Sequence, residues 1–105
     1  LLEYLKIYLI SGVFKSGDKL PSVRDFANTF KVNPNTMQKA LSELEDMKLI
    51  YTERTNGKYV TKDEKLIEKL KDEYALTLAK SYFDGMKKIG LGKAASIKYL
   101  ERISD

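Results

Sequence analysis

Along the 105 residues, apolar positions recur at intervals of three and four, broken once by a stretch of strand character. Leu2, Leu5 and Leu9 share one helical face, and that run stops at Gly12, a residue type favoured just past a helix end. Residues 13 to 21 carry turn signals and little periodicity, and read as a connection ending at Pro21. Ser22-Val23-Arg24-Asp25 has the form of a capping box, so a second helix opens there with Val23, Phe26, Ala27 and Phe30 on its apolar face. Lys31 and Val32 make a turn. Asn33-Pro34 then starts a third helix, with Asn as the cap and Pro at the first helical position, where an N–H would have no partner. Met37, Ala40, Leu41 and Leu44 form its buried stripe and leave Asn35, Thr36, Gln38, Lys39, Ser42 and Glu43 facing elsewhere.

Two runs rich in β-branched and aromatic residues follow, Leu49 to Arg54 and Lys58 to Thr61, joined by Thr55-Asn56-Gly57. Asn-Gly can adopt the positive φ angles of a tight turn, so this is a small β-hairpin. Past Lys62, Ile67, Leu70, Tyr74, Leu78, Tyr82, Met86 and Ile89 repeat through a helix of about 25 residues that ends at Gly90. A last short helix carries Ala94, Ile97, Leu100 and Ile103 on its apolar side. The expected fold is mainly α with a small β-hairpin. Residues 1–62 form a winged helix-turn-helix domain and residues 63–105 a C-terminal helical segment for dimerisation. In a winged helix-turn-helix the second helix of the pair enters the DNA major groove with its N-terminal residues at base edges, and the hairpin is the wing.

Composition narrows the chemistry. The absence of Cys and His removes disulfides, thiolate nucleophiles, Ser-His-Asp catalysis and almost every zinc site. Asp63-Glu64 and Asp72-Glu73 are ordinary solvated helix charges, so no enzymatic activity, metal or cofactor is expected. Lys and Arg number 19 against 15 Asp and Glu, a net charge of +4 that suits an acidic partner. Residues 1–62 hold 10 basic and 7 acidic groups (10 − 7 = +3) and residues 63–105 hold 9 and 8 (9 − 8 = +1), so the excess lies on the part expected to meet DNA. No apolar run approaches the roughly 18 residues of a membrane span, and Glu3 and Lys6 interrupt the first residues. A cytoplasmic location with no membrane partner is expected.

Several punctuated motifs occur in order. They are Ser11-Gly12, Gly17-Asp18-Lys19-Leu20-Pro21-Ser22-Val23-Arg24-Asp25, Val32-Asn33-Pro34-Asn35-Thr36, Leu44-Glu45, Leu49-Ile50 and Gly57-Lys58-Tyr59-Val60. Together they resemble the N-terminal domain of GntR-family bacterial transcription regulators over residues 1–62. The short helical tail resembles the family's YtrA-type branch, in which such helices serve dimerisation. The resemblance implies that Arg24, in the motif containing Ser22, contacts DNA; its planar fork can reach phosphate or guanine. Asn35, Thr36, Gln38 and Lys39 lie in the first turns of the recognition helix, residues 33–47. There amides can pair with adenine, Thr with a thymine methyl or phosphate, and Lys with phosphate or guanine. Asn33 is foremost a cap, with the helix N-terminus behind it turned toward phosphate.

The sequence departs from the family pattern twice. Pro34 stands where many members carry Arg or Ser, so base recognition leans on amides. The wing, residues 50–61, lacks the first Gly of the usual Gly-x-Gly-Thr-Phe-Val, leaving Asn56, Gly57 and Lys58 as its tip. Arg54 and Lys58 are expected on backbone phosphate, and Tyr51 and Tyr59 are expected to pack the wing on the helices.

A long and a short helix cannot bury two apolar sides within one small subunit, which points to a symmetric homodimer. Ile67, Leu70, Tyr74, Leu78, Tyr82, Met86, Ile97 and Leu100 are its expected interface, centred on Tyr74, Leu78, Tyr82 and Met86. The expected partner is double-stranded DNA carrying a palindromic operator, bound by a dimeric repressor. The alternative is a winged-helix protein-interaction module that binds a different chain through the C-terminal helices. Nothing in the sequence specifies a small-molecule effector.

Overall fold

Seven elements follow one another in the computed structural model, which describes all of residues 1–105. They are helices α1 (Leu2–Ile10), α2 (Val23–Phe30) and α3 (Pro34–Asp46), strands β1 (Ile50–Glu53) and β2 (Gly57–Val60), and helices α4 (Glu64–Lys88) and α5 (Lys93–Glu101). Local chemistry sets the ends of α2 and α3. The Asp25 N–H donates to Ser22 Oγ at 3.1 Å and the Asn35 N–H to Asn33 Oδ1 at 2.8 Å, each bond pairing an amide that has no partner inside its helix. Lys31 ends α2 in the left-handed region at φ 56°, its N–H turned back on the last carbonyls of the helix. The Val32 N–H closes the corner on the Ala27 carbonyl at 3.0 Å.

The apolar stripes of the three helices converge. Leu5 and Leu9 of α1, Phe26 and Ala27 of α2, and Met37, Ala40, Leu41 and Leu44 of α3 form one buried cluster with Leu20, Leu49, Ile50 and Val60. Burying one such aliphatic side chain contributes about 1.5–3 kcal/mol. Tyr8, Phe14, Phe26 and Phe30 close one side with edge-on and tilted ring contacts, Tyr8 and Phe14 lying 5.3 Å apart between centroids.

The hairpin pairs Ile50 with Val60, Tyr51 with Tyr59, Thr52 with Lys58 and Glu53 with Gly57. Its turn is a three-residue loop: the Asn56 N–H bonds the Glu53 carbonyl at 3.2 Å, and Gly57 takes the positive φ of 104° while Asn56 does not. Residues 13–21, expected to be a plain connection, supply a further edge. The Leu20 N–H donates to the Lys58 carbonyl and the Val60 N–H to the Asp18 carbonyl, both at 2.8 Å, and Lys19 bridges Tyr59. Ile50 and Val60 face the core, which puts Tyr51 and Tyr59 on the opposite face of the hairpin. There the two rings stack on each other, 5.6 Å apart between centroids, a contact that the sequence did not suggest.

The chain divides into two compact units, Leu1–Leu70 and Lys71–Asp105, so the first unit runs beyond residue 62 into α4. Leu66, Ile67 and Leu70 pack against the N-terminal core. In the second unit the Tyr82 hydroxyl donates to the Ser96 carbonyl at 2.8 Å, and Ser96 Oγ donates to the Gly92 carbonyl at 2.7 Å. Ser96, rather than the apolar stripe, is the buried residue of α5; Ile97 and Leu100 face solvent, and Ile103 lies past the end of the helix. No helix is long and apolar enough to cross a membrane.

Candidate nucleic-acid interface

Burial of Met37, Ala40, Leu41 and Leu44 turns the other side of α3 outward. Asn35, Gln38, Lys39 and Ser42 are exposed there at i, i+3, i+4 and i+7, the spacing of a single helical face, with exposed Thr36 on its flank. Gln38 Nε2 lies 3.2 Å from Ser42 Oγ, a contact on the helix surface that leaves its amide oxygen unengaged. The chain's three ion pairs, Lys6–Glu3, Lys58–Glu45 and Lys87–Asp84, leave Arg24, Lys39 and Arg54 among its unpaired cations. Arg24 is exposed on the first turn of α2 and is not drawn to Asp25, so its guanidinium is available to an anion.

The caps limit what two of the residues can do. Ser22 and Asn33 accept hydrogen bonds from their own helices, so their contribution to a ligand is the remaining backbone amides at the two helix N-termini. An open groove of about 430 Å³ lies between the hairpin tip and the segment before α2. Pro21, Ser22 and Val23 line one side of it, and Arg54, Asn56 and Gly57 the other. These surfaces offer fixed donors and positive charge to a phosphate backbone, beside amide-bearing side chains suited to base edges.

Lys58 differs from the other basic candidates. Its Nζ donates to Thr52 Oγ1 at 3.1 Å and lies 3.3 Å from Glu45 Oε1, while Thr52 Oγ1 donates to the same carboxylate oxygen at 2.6 Å. The hydrogen bond from Thr52, reinforced by Lys58, holds the Glu45 carboxyl below the usual carboxylate range against a weaker opposing effect of burial. Thr52 and Lys58 could be paired from the hairpin register, but no sequence signal linked Glu45 to them.

The residues expected at a subunit interface separate into groups. Ile67 and Leu70 cover the N-terminal core, which takes them out of the C-terminal apolar face. Tyr74 and Met86 are half-buried, Tyr82 holds α5, and Leu78, Ile97 and Leu100 are exposed. Leu76, Ala79 and Phe83, which lie outside the stripe read from the sequence, line an apolar groove with Tyr82, Ile97 and Leu100. Their own three- and four-residue spacing was the signal that could have found them.

Residues 1–60 match the family described as bacterial regulatory proteins, gntR family. An uncharacterised HTH-type transcriptional regulator of Bacillus subtilis (strain 168), YhcF, is 34% identical over 89 residues, covering 85% of this chain and 74% of that protein. The HTH-type transcriptional repressor YtrA of the same organism is 42% identical over 65 residues, 62% of this chain and 50% of its own length. Among solved structures, a GntR family transcriptional regulator from Listeria monocytogenes superposes with a TM-score of 0.88 at 37% identity, covering 98% of this chain and 90% of that one. Its mostly helical order with a two-stranded antiparallel hairpin is the winged helix-turn-helix arrangement of those regulators, which are not enzymes. With a helix-turn-helix pair, an outward amide-bearing face on α3 and a matching family over more than half its length, the chain belongs to the GntR family of DNA-binding bacterial transcription regulators.

Proposed function

We propose that the chain acts as a homodimer on a palindromic operator, with α3 in the major groove and the hairpin at the backbone or minor groove, and represses by occupying the site. The observation that carries this reading is the outward face of the first turns of α3, where Asn35, Gln38 and Lys39 stand side by side with Thr36 at the flank. Asn35 and Gln38 read bases, Thr36 and Lys39 engage base edge or phosphate, and Arg24 and Arg54 anchor the backbone on either side. Asn56 and Gly57 form the wing tip, and the amides at the Ser22 and Asn33 helix starts face phosphates. Dimerisation is supported by the second unit, which buries no apolar side chain of its own and exposes Leu76, Leu78, Ile97 and Leu100. Repression is supported by the similarity to a protein named a repressor and needs no further surface, because occupancy alone blocks transcription.

Selecting bound duplexes from a random pool tests the reading. The expected product is two inverted half-sites separated by about one helical turn; enrichment of no sequence, or of an unpaired half-site, would sink it. Sedimentation at micromolar concentration should show a dimer. A monomer that associates only with a different protein would favour the interaction-module alternative.

A further inference from the structure

We propose that Lys58 is a positioning residue of the wing and not a phosphate contact: with Thr52 and Glu45 it locks the hairpin to the last turn of α3, so that helix and wing meet DNA as one rigid reader. The inference rests on the DNA-reading role assigned to α3 and the hairpin. Three observations carry it. Thr52 and Lys58 sit directly opposite each other across the two strands, the closest placement a hairpin allows for two side chains on one face. Both converge on one oxygen of Glu45, a residue of a different element, at 2.6 Å for Thr52 Oγ1 and 3.3 Å for Lys58 Nζ. The Lys58 side chain is only 18% exposed, whereas Arg24, Lys39 and Arg54, three basic candidates without an ion pair, all stand in solvent.

The chemistry favours holding over reaching. A carboxylate in the last turn of a helix meets the negative end of the helix dipole, and an ammonium beside it offsets that repulsion. To touch a phosphate, Lys58 would have to abandon two acceptors and leave Glu45 uncompensated next to a polyanion. Held in place, the Lys58–Glu45 pair adds little net attraction for DNA, and Thr52 supplies the directional hydrogen bonds that a bare ion pair lacks.

Three single variants of the full chain, Glu45→Gln, Thr52→Val and Lys58→Met, and the Thr52→Val/Lys58→Met double decide between the roles. Each is titrated by fluorescence anisotropy against the operator duplex and a scrambled duplex over about 50 to 300 mM salt, with circular dichroism melting as the check on folding. A positioning role predicts that Glu45→Gln weakens operator binding several-fold, although it removes a negative charge. It also predicts that Thr52→Val does the same, and that the Thr52→Val/Lys58→Met pair is no weaker than the worse single variant. The slope of log affinity against log salt stays at the wild-type value in Lys58→Met. The opposite pattern overturns the proposal: tighter binding by Glu45→Gln, wild-type binding by Thr52→Val, and a slope reduced by about 0.9 in Lys58→Met. Melting shifts with an unchanged operator-to-scrambled ratio overturn it as well, leaving a purely structural cluster. A wild-type protein that binds neither duplex removes the DNA-reading role and the inference together, whereas the other adverse outcomes remove the inference alone.

Discussion

The N-terminal unit, Leu1–Leu70, and the C-terminal unit, Lys71–Asp105, both contain helices with apolar residues at three- and four-residue intervals and use them in opposite ways. In the first, the stripes of α1, α2 and α3 and the inner face of the hairpin cover one another, and Leu5, Met37, Leu41, Leu44, Ile50 and Val60 are all but sealed from solvent. In the second, only Ser96 is buried, held by hydrogen bonds, while Leu76 and Leu78 are each 68% exposed. Periodicity states that a face will be covered without stating by what. A unit that closes on itself can present a stiff reading surface. One that remains open leaves its apolar area uncovered, as the proposed association requires.

Leu41→Ala gives the largest effect expected from this contrast, a loss of about 2–5 kcal/mol in urea unfolding, because it opens a cavity in the closed core. The matching change in the open unit, Leu76→Asp, should hardly alter the unfolding of isolated subunits. It should raise the dimer dissociation constant by at least the roughly 30-fold equivalent of a 2 kcal/mol hot spot, read by sedimentation equilibrium. If Leu76→Asp were to melt the chain as deeply as Leu41→Ala, the division into closed and open units would fail. Within the closed unit, Gln38→Ala should cost about 1–3 kcal/mol of DNA affinity and relax preference at one base pair. Arg24→Ala should weaken binding to every sequence and lower the salt slope by about 1. Competition titrations against single-base operator variants separate the two, and equal losses on all sequences for both would erase the division into base reader and backbone anchor.

The smallest effect is pH-dependent. Glu45 has a folded pKa below its ordinary 4.5, owing first to Thr52 and then to Lys58. Its contribution to stability is therefore complete above the ordinary value and is lost as pH falls through the lower, folded one. With its side chain 40% exposed, solvent screening limits that contribution to a few tenths of a kcal/mol. Wild type and Glu45→Gln should thus differ slightly at neutral pH and converge in acid; a difference that grows on acidification would reverse the assignment.

The helix-turn-helix was legible because its determinants are local. Ser22 and Asn33 cap amides two or three residues away, and the stripe of α3 follows from one helical period. The hairpin was legible in outline, but Gly57 alone takes the positive φ, since the register leaves three residues in the loop. The strand-like edge at Asp18–Leu20 was not legible, because its hydrogen-bond partners lie some forty residues away in β2 and its own residues alternate poorly. Ile67 and Leu70 continue the same spacing as Tyr74 and Leu78, and only the packed core separates the first pair from the second.

By itself, then, the sequence determined where helices start and stop, which side of each is apolar, and which polar side chains α3 turns outward, because each of these depends on neighbours within one or two turns. Tertiary structure alone decided which apolar faces are satisfied within the chain and that Glu45, Thr52 and Lys58 meet at one point. Burial and the partner of a charge depend on residues brought together from different elements, and no local pattern encodes that distance.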